Sequence, residues 1–157
     1  MIIGSVTVLI IVLFLIDQWI KYAVVAHIAL GAVHQVIPGV LSLTYLRNNG
    51  AAWSMLEGQQ WFFYIVSIIA LAVLIYFLIR YRTDWRYELG LALMIAGTLG
   101  NFVDRIRQGF VVDMFQLDFI SFPIFNFADS CLTVGVIVLM IAILLEDRRD
   151  RTGSSHE

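Results

Sequence analysis

Long apolar runs alternate with short polar connections along this chain, and four of the runs approach the ~20 residues a helix needs to cross a hydrocarbon core of about 30 Å. The pattern predicts spans over residues 2–24, 61–79, 86–103 and 128–145. The second is the clearest, with no formal charge and with Trp61 and Tyr76 near its ends, where interfacial aromatics are favoured. The third carries Gly90, Ala92, Ala96, Gly97 and Gly100, small residues that let neighbouring helices approach closely. The first meets Asp17 and Lys21 before it is long enough to end comfortably. A cleaved signal peptide is the rival reading of that run, because Ala26 and Ala29 follow it. Such leaders start with a basic segment, however, and no Lys or Arg precedes Lys21, so the run is read as a retained span.

Connections between the spans set the expected orientation, since Lys and Arg are retained on the cytoplasmic side. Arg80, Arg82 and Arg86 join the second and third spans, and Arg148, Arg149 and Arg151 follow the fourth. Both termini are therefore expected inside, with two outer loops at about residues 26–60 and 104–127 and a polar, solvated cytoplasmic tail over 147–157. In the first outer loop, residues 40–46 alternate apolar with polar before Asn48, Asn49 and Gly50, which predicts a short strand and a turn. Residues 51–56 suit a short amphipathic or re-entrant piece. Residues 110–118 are also strand-like, and lead into a connection rich in aromatics through Phe119, Phe122, Pro123 and Phe125.

Composition confirms the class. Of 157 residues, 61% are hydrophobic and 14% charged, and the mean hydropathy is +0.87. These values lie far outside those of soluble domains, so the fold class is an α-helical integral membrane protein with four transmembrane helices. Twelve acidic and ten basic residues leave a formal charge of −2, without the basic field that draws a protein onto nucleic acid. Cys131 is the one cysteine, which excludes an intramolecular disulfide and any four-cysteine metal site. It is read as a small packing residue.

A charge at the centre of a span costs about 2.5–3.5 kcal/mol on insertion scales, which makes each one a candidate for function. With 1.5 Å of rise per residue, Asp17 lies about 22 Å along the first helix, in the outer part of the bilayer. Asp104 and Arg105 lie at the outer end of the third span, Asp129 at the outer start of the fourth, and Asp113 in the loop before it. The four carboxylates fall in one layer. Structural roles compete for most of them: Asp17 and Lys21, four apart, can neutralise each other on one helix face. Asp104 and Arg105 can be interfacial charge, and Asp129 can cap a helix start. Asp113 is harder to dismiss, because Val111, Val112, Met114 and Phe115 around it would bury an acid that has no capping duty.

Two aspartates sharing a partly desolvated site can hold one proton between them. The ionised member then takes a proton from water while the neutral one donates to a carbonyl oxygen. This chemistry hydrolyses a peptide with no metal and no cofactor. Other arrangements have less support: His27 and His34 lack zincin spacing, no GxSxG is present, and a serine–lysine dyad would have to use Lys21 with a serine such as Ser42 or Ser54. A small transporter or proton relay would also place acids in spans, but would scatter them through the depth of the membrane.

Five ordered motifs now resemble a known family, the bacterial lipoprotein signal peptidases (type II). They are Asp17-Gln18 with Lys21; Arg47-Asn48-Asn49-Gly50-Ala51-Ala52-Trp53-Ser54; Gly97-Thr98-Leu99-Gly100-Asn101-Phe102-Val103-Asp104-Arg105; Val111-Val112-Asp113; and Phe122-Pro123-Ile124-Phe125-Asn126-Phe127-Ala128-Asp129-Ser130. The resemblance implies a monomeric four-helix membrane aspartic endopeptidase with a small extracytoplasmic β-rich cradle. It would cleave prolipoproteins on the N-terminal side of a diacylglyceryl-modified cysteine, in contact with membrane lipids at the outer interface of a bacterial cell membrane. It implies Asp113 and Asp129 as the catalytic pair, with Asp17, Lys21, Asn48, Gly50, Asn101, Asp104, Arg105, Asn126 and Ala128 as supporting positions around the pocket. Two departures stand out: Ile20 where a small hydroxyl residue is common, and Met114 where Phe is common.

Overall fold

The structure, a computed structural model, describes residues 3–50 and 58–153, with side chains described for 4–50 and 58–146. The elements run in the order α1 (Ile3–His27), β1 (Val33–Ile37), β2 (Leu41–Asn48), α2 (Gln60–Arg80), α3 (Trp85–Gln108), β3 (Val111–Leu117) and α4 (Phe127–Gly153). All four helices contain a stretch long and apolar enough to cross a membrane: Gly4–His27, Gln60–Arg80, Trp85–Gln108 and Phe127–Glu146.

Local chemistry sets the helix ends. Asp84 caps α3 by accepting the N–H of Arg86 at 2.9 Å, which satisfies one of the free donors of the first turn. At the far end Gly109 takes φ 78°, a left-handed conformation that suits glycine, and its N–H donates to Arg105 O at 3.0 Å. This helix therefore runs five residues past the predicted limit of 103, because Asp104 and Arg105 find partners inside the protein. The α4 backbone likewise stays helical to Gly153, through most of the stretch read as a solvated tail. Residues 51–56, expected to form an interfacial piece, lie outside the described residues.

Helix α3 is the hub, and α1, α2 and α4 each pack against it. Its glycines make the α3–α4 seam close: a Cβ at Gly90 would lie 3.0 Å from Gly135 O and 2.7 Å from Leu139 Cγ. Helix α2 buries little besides Leu74, while Trp61, Ile65, Ile68, Ile69 and Tyr76 are exposed on it. Such a surface is stable against lipid and not against water.

The strands form an antiparallel sheet of order β1-β2-β3 at the end of the bundle where α1 and α3 finish and α2 and α4 begin. β2 and β3 are the two strands that alternation predicts. β1 was not predicted, and all five of its residues are exposed; pairing to β2, with His34 opposite Leu43, makes it a strand. Beneath the sheet, Val24, Tyr45, Val112 and Met114 form a buried cluster on which Ile20 and Ile28 pack. Both departures from the family pattern, Ile20 and Met114, thus belong to one apolar cluster and not to the polar layer.

Candidate active site

Asp113, in the middle of β3, and Asp129, in the first turn of α4, line one cavity of about 670 Å³. Asn48, Gly50, Asn101, Arg105 and Asn126 also line it, with Phe63, Phe122 and Phe125 on its apolar walls. The sheet register brings Asn48 to Asp113: Leu46 faces Asp113 and Asn48 faces Val111, so Asn48 is the diagonal neighbour two residues along. Asn48 Nδ2 donates to Asp113 Oδ2 at 2.8 Å.

Asp129 is placed by a reciprocal cap. Its N–H donates to Asn126 Oδ1 at 3.0 Å, and the N–H of Asn126 donates to Asp129 Oδ2 at 3.1 Å, as in a capping box. The capping role that competed with function for Asp129 is therefore real, and it leaves Oδ1 free to accept Asn101 Nδ2 at 2.8 Å. One residue thus starts a helix and faces the cavity.

Three asparagines surround the pair, and each is oriented by a group that can only donate. The Gly50 N–H occupies Asn48 Oδ1 at 2.9 Å, the Asp129 N–H occupies Asn126 Oδ1, and the Lys21 ammonium occupies Asn101 Oδ1 at 3.0 Å. Every amide NH₂ is therefore turned inward, and Asn126 Nδ2 reaches Asp113 Oδ1 at 2.6 Å and Asn101 Oδ1 at 3.1 Å. Each of the four carboxylate oxygens faces one uncharged N–H donor. Asp113 is 1% exposed, and its pKa is pushed up to about 6, first by burial and then by the neighbouring Asp129.

Asp17, Lys21 and Asp104 lie beside this group but do not line the cavity. They form a buried cluster behind it, with Lys21 Nζ 2.8 Å from Asp17 Oδ2 and 2.9 Å from Asp104 Oδ2. Asp17 Oδ1 also accepts the Ala128 N–H at 3.0 Å, which ties α1 to the first turn of α4. The single layer read from the sequence is thus two groups at one depth, facing different ways. Ala128 is 1% exposed and fits where α3 presents Gly97 and Gly100. Arg105 reaches the cavity with its guanidinium over the Phe63 ring at 4.6 Å and Nη2 donating to Gly50 O at 3.2 Å. Its buried Nε has no hydrogen-bond partner among the described residues.

Comparison with known proteins decides the family. The family model described as Signal peptidase (SPase) II matches residues 9–145. The chain belongs to the signal peptidase II family. It is 65% identical over 140 residues to the lipoprotein signal peptidase of Lactiplantibacillus plantarum, covering 89% of this chain and 94% of that protein. The lipoprotein signal peptidase of Latilactobacillus sakei is 59% identical over 133 residues, covering 84% and 88%. A solved structure described as a bacterial membrane enzyme superposes with a TM-score of 0.88 at 40% identity, covering 93% of this chain and 91% of that one. A second, of the same description, gives 0.85 at 41% identity, covering 91% and 94%. The protein is accordingly a multi-pass bacterial membrane peptidase of the signal peptidase II type. Sequence reasoning missed Phe63 and Tyr64 on α2, which hold Arg105 from the side: the Tyr64 hydroxyl donates to Arg105 O at 3.0 Å. The signal available was their place near the start of a helix whose apolar residues are largely exposed.

Proposed function

We propose that this signal peptidase II cleaves the signal peptide from diacylglyceryl-modified prolipoproteins, N-terminal to the lipidated cysteine, by water activated between Asp113 and Asp129. The observation that carries the reading is the pair itself: two carboxylates in one cavity, each oxygen facing a neutral N–H donor. The hydrogen bonds to the pair come from neutral donors, and although the Arg105 guanidinium stands in the same cavity, burial and the repulsion between the two carboxylates leave the pair one proton.

Asp113, the more buried member, holds that proton. Asp129 takes a proton from water as the water oxygen attacks the scissile carbonyl carbon; Asp113 gives its proton to the carbonyl oxygen, leaving a neutral gem-diol. Collapse returns a hydroxyl proton to Asp113 while Asp129 protonates the departing nitrogen, and the C–N bond breaks. The acid product and the free amine of the lipidated cysteine result, with the pair restored to a single proton. Arg105 and the three asparagines hold the substrate backbone against the pair.

Orientation follows from the basic residues. Arg80, Arg82 and Arg86 lie at the end of the bundle opposite the sheet, which supports cytoplasmic termini and an active site at the outer interface. Phe63, Phe122 and Phe125 on the cavity walls suit a substrate that arrives in the plane of the bilayer. The test is cleavage of a lipidated precursor by Asp113→Asn and Asp129→Asn. Each should lose turnover while still melting cooperatively as a folded protein in detergent, and substantial turnover by either sinks the dyad.

A further inference from the structure

Lys21 has no place on the cavity wall, yet its ammonium governs a group that does. Asn101 accepts from Lys21 Nζ at 3.0 Å and donates through Nδ2 to Asp129 Oδ1 at 2.8 Å. An ammonium has no acceptor. Asn126 Nδ2 donates to the same Asn101 oxygen at 3.1 Å, so turning the amide over would set NH₂ against NH₃⁺ and against the Asn126 NH₂, and oxygen against the Asp129 carboxylate, replacing three hydrogen bonds with three repulsive contacts. The ammonium is itself fixed by carboxylates from two helices, Asp17 of α1 and Asp104 of α3, and all three side chains are nearly inaccessible.

We propose that Lys21 is a positioning residue for the peptidase reaction: together with Asn126 it locks the Asn101 amide in the orientation that donates to Asp129. The proposal rests on the dyad reading above. The groups that face Asp129 are Asn101 and Arg105 of α3, Asn126 at the start of its own helix, and Asp113 of β3. The nearby charges Asp17, Lys21 and Asp104 sum to −1, and act on it through Asn101 and the Ala128 N–H. A purely structural cluster would tie α1, α3 and α4 together and affect stability alone. A lock also sets the protonation of the pair, which a pH profile reads.

The double variant K21M/D104N removes one charge of each sign. It leaves Asp17 its donors from Ala128 and Gln18 and keeps the shape of residue 104. Cleavage of a lipidated precursor in detergent should show kcat reduced by about 10²-fold, KM little changed, and the acidic limb of the pH–rate profile displaced to higher pH, because an Asn101 amide held on its oxygen side by Asn126 alone turns more readily and then offers its oxygen to the pair. Asn101→Asp is a second, isosteric variant that keeps Lys21 bound but puts an oxygen where the donor was. It should show the same loss and the same displacement, and parental turnover in it overturns the lock even if the double variant does not fold. Parental kcat and an unmoved profile in either folded variant overturn the lock. Turnover by D129N would refute the dyad instead, so inactive D129N beside a fully active K21M/D104N removes the lock alone.

Discussion

Gly97→Ala adds one methyl group to the seam that holds Asp129 in place. A Cβ there would run into the carbonyl oxygen of Ala128, and would lie 2.9 Å from Leu132 Cγ and 3.2 Å from Leu132 N. The carbonyl belongs to the first turn of α4, so what must give is backbone and not the end of a flexible side chain. Returning Leu132 Cγ to an ordinary contact of about 3.4 Å takes roughly 0.5 Å of separation, and the carbonyl takes more, so the start of α4 moves by about 1 Å. Overpacking of this kind costs about 1–3 kcal/mol of stability. A displacement of that size in a catalytic group costs about 10²-fold in rate. Gly90→Ala is the comparison, two turns away along α3, where the Cβ would meet Leu139 Cγ at 2.7 Å and Gly135 O at 3.0 Å. Thermal melting in detergent and steady-state cleavage of a lipidated precursor should show both variants destabilised and only Gly97→Ala slowed. Parental kcat in Gly97→Ala, or equal loss of kcat in both, would refute the link between seam and site.

Three more outcomes follow from the same geometry. Because the folded pKa of Asp113 is pushed up to about 6 from an ordinary 3.8, the folded chain binds this proton more firmly than the unfolded one; the group's contribution is complete below pH ~4 and is lost as pH rises toward ~6, by up to about 3 kcal/mol. Melting of the parent should fall across that window relative to Asp113→Asn, and parallel melting curves would contradict the raised pKa. Single cysteines at positions 49 and 82 in a Cys131→Ala background should label from opposite sides of the membrane, and labelling from one side would overturn the topology. A precursor without diacylglycerol should be a poor substrate, since its acyl chains contribute about 0.8 kcal/mol per buried CH₂ toward docking at the interface; equal cleavage of both precursors would refute the substrate class and leave the chemistry standing.

The four spans were legible because run length and apolarity are properties of the sequence alone. Depth was legible for the same reason: counting residues placed Asp17 and Asp104 in the layer of Asp113 and Asp129. Direction was not. Which way a side chain points around a helix axis depends on its neighbours, and Lys21 drew Asp17 and Asp104 away from the cavity. β1 escaped because His34 and Gln35 break any apolar alternation, and a strand exposed at every position takes its structure from the partner it pairs with. Asn126 could have been read more fully. An asparagine three residues before an acid at the start of an apolar run is a cap signature, and it places the Asp129 carboxylate before any fold is known.

Helix α3 supplies Asn101 and Arg105 to the cavity and Asp104 to the cluster behind it, and it is the span that lipid accepts least. Its apolar stretch has a mean hydropathy of 1.3 where that of α2 has 2.8, and 44% of that stretch is buried where α2 buries 6%. Such a segment gains little from entering a bilayer alone, and its polar groups are satisfied only when α1 and α4 are beside it. Insertion of this part of the chain is therefore tied to its assembly: α2 carries no formal charge before its last residue and suits lipid alone, whereas α3, and α1 with Asp17 and Lys21, have their polar groups satisfied only in company. The residues that build the site are thus also those that make α3 depend on its neighbours, and without α4 the least apolar span lacks the helix it packs against.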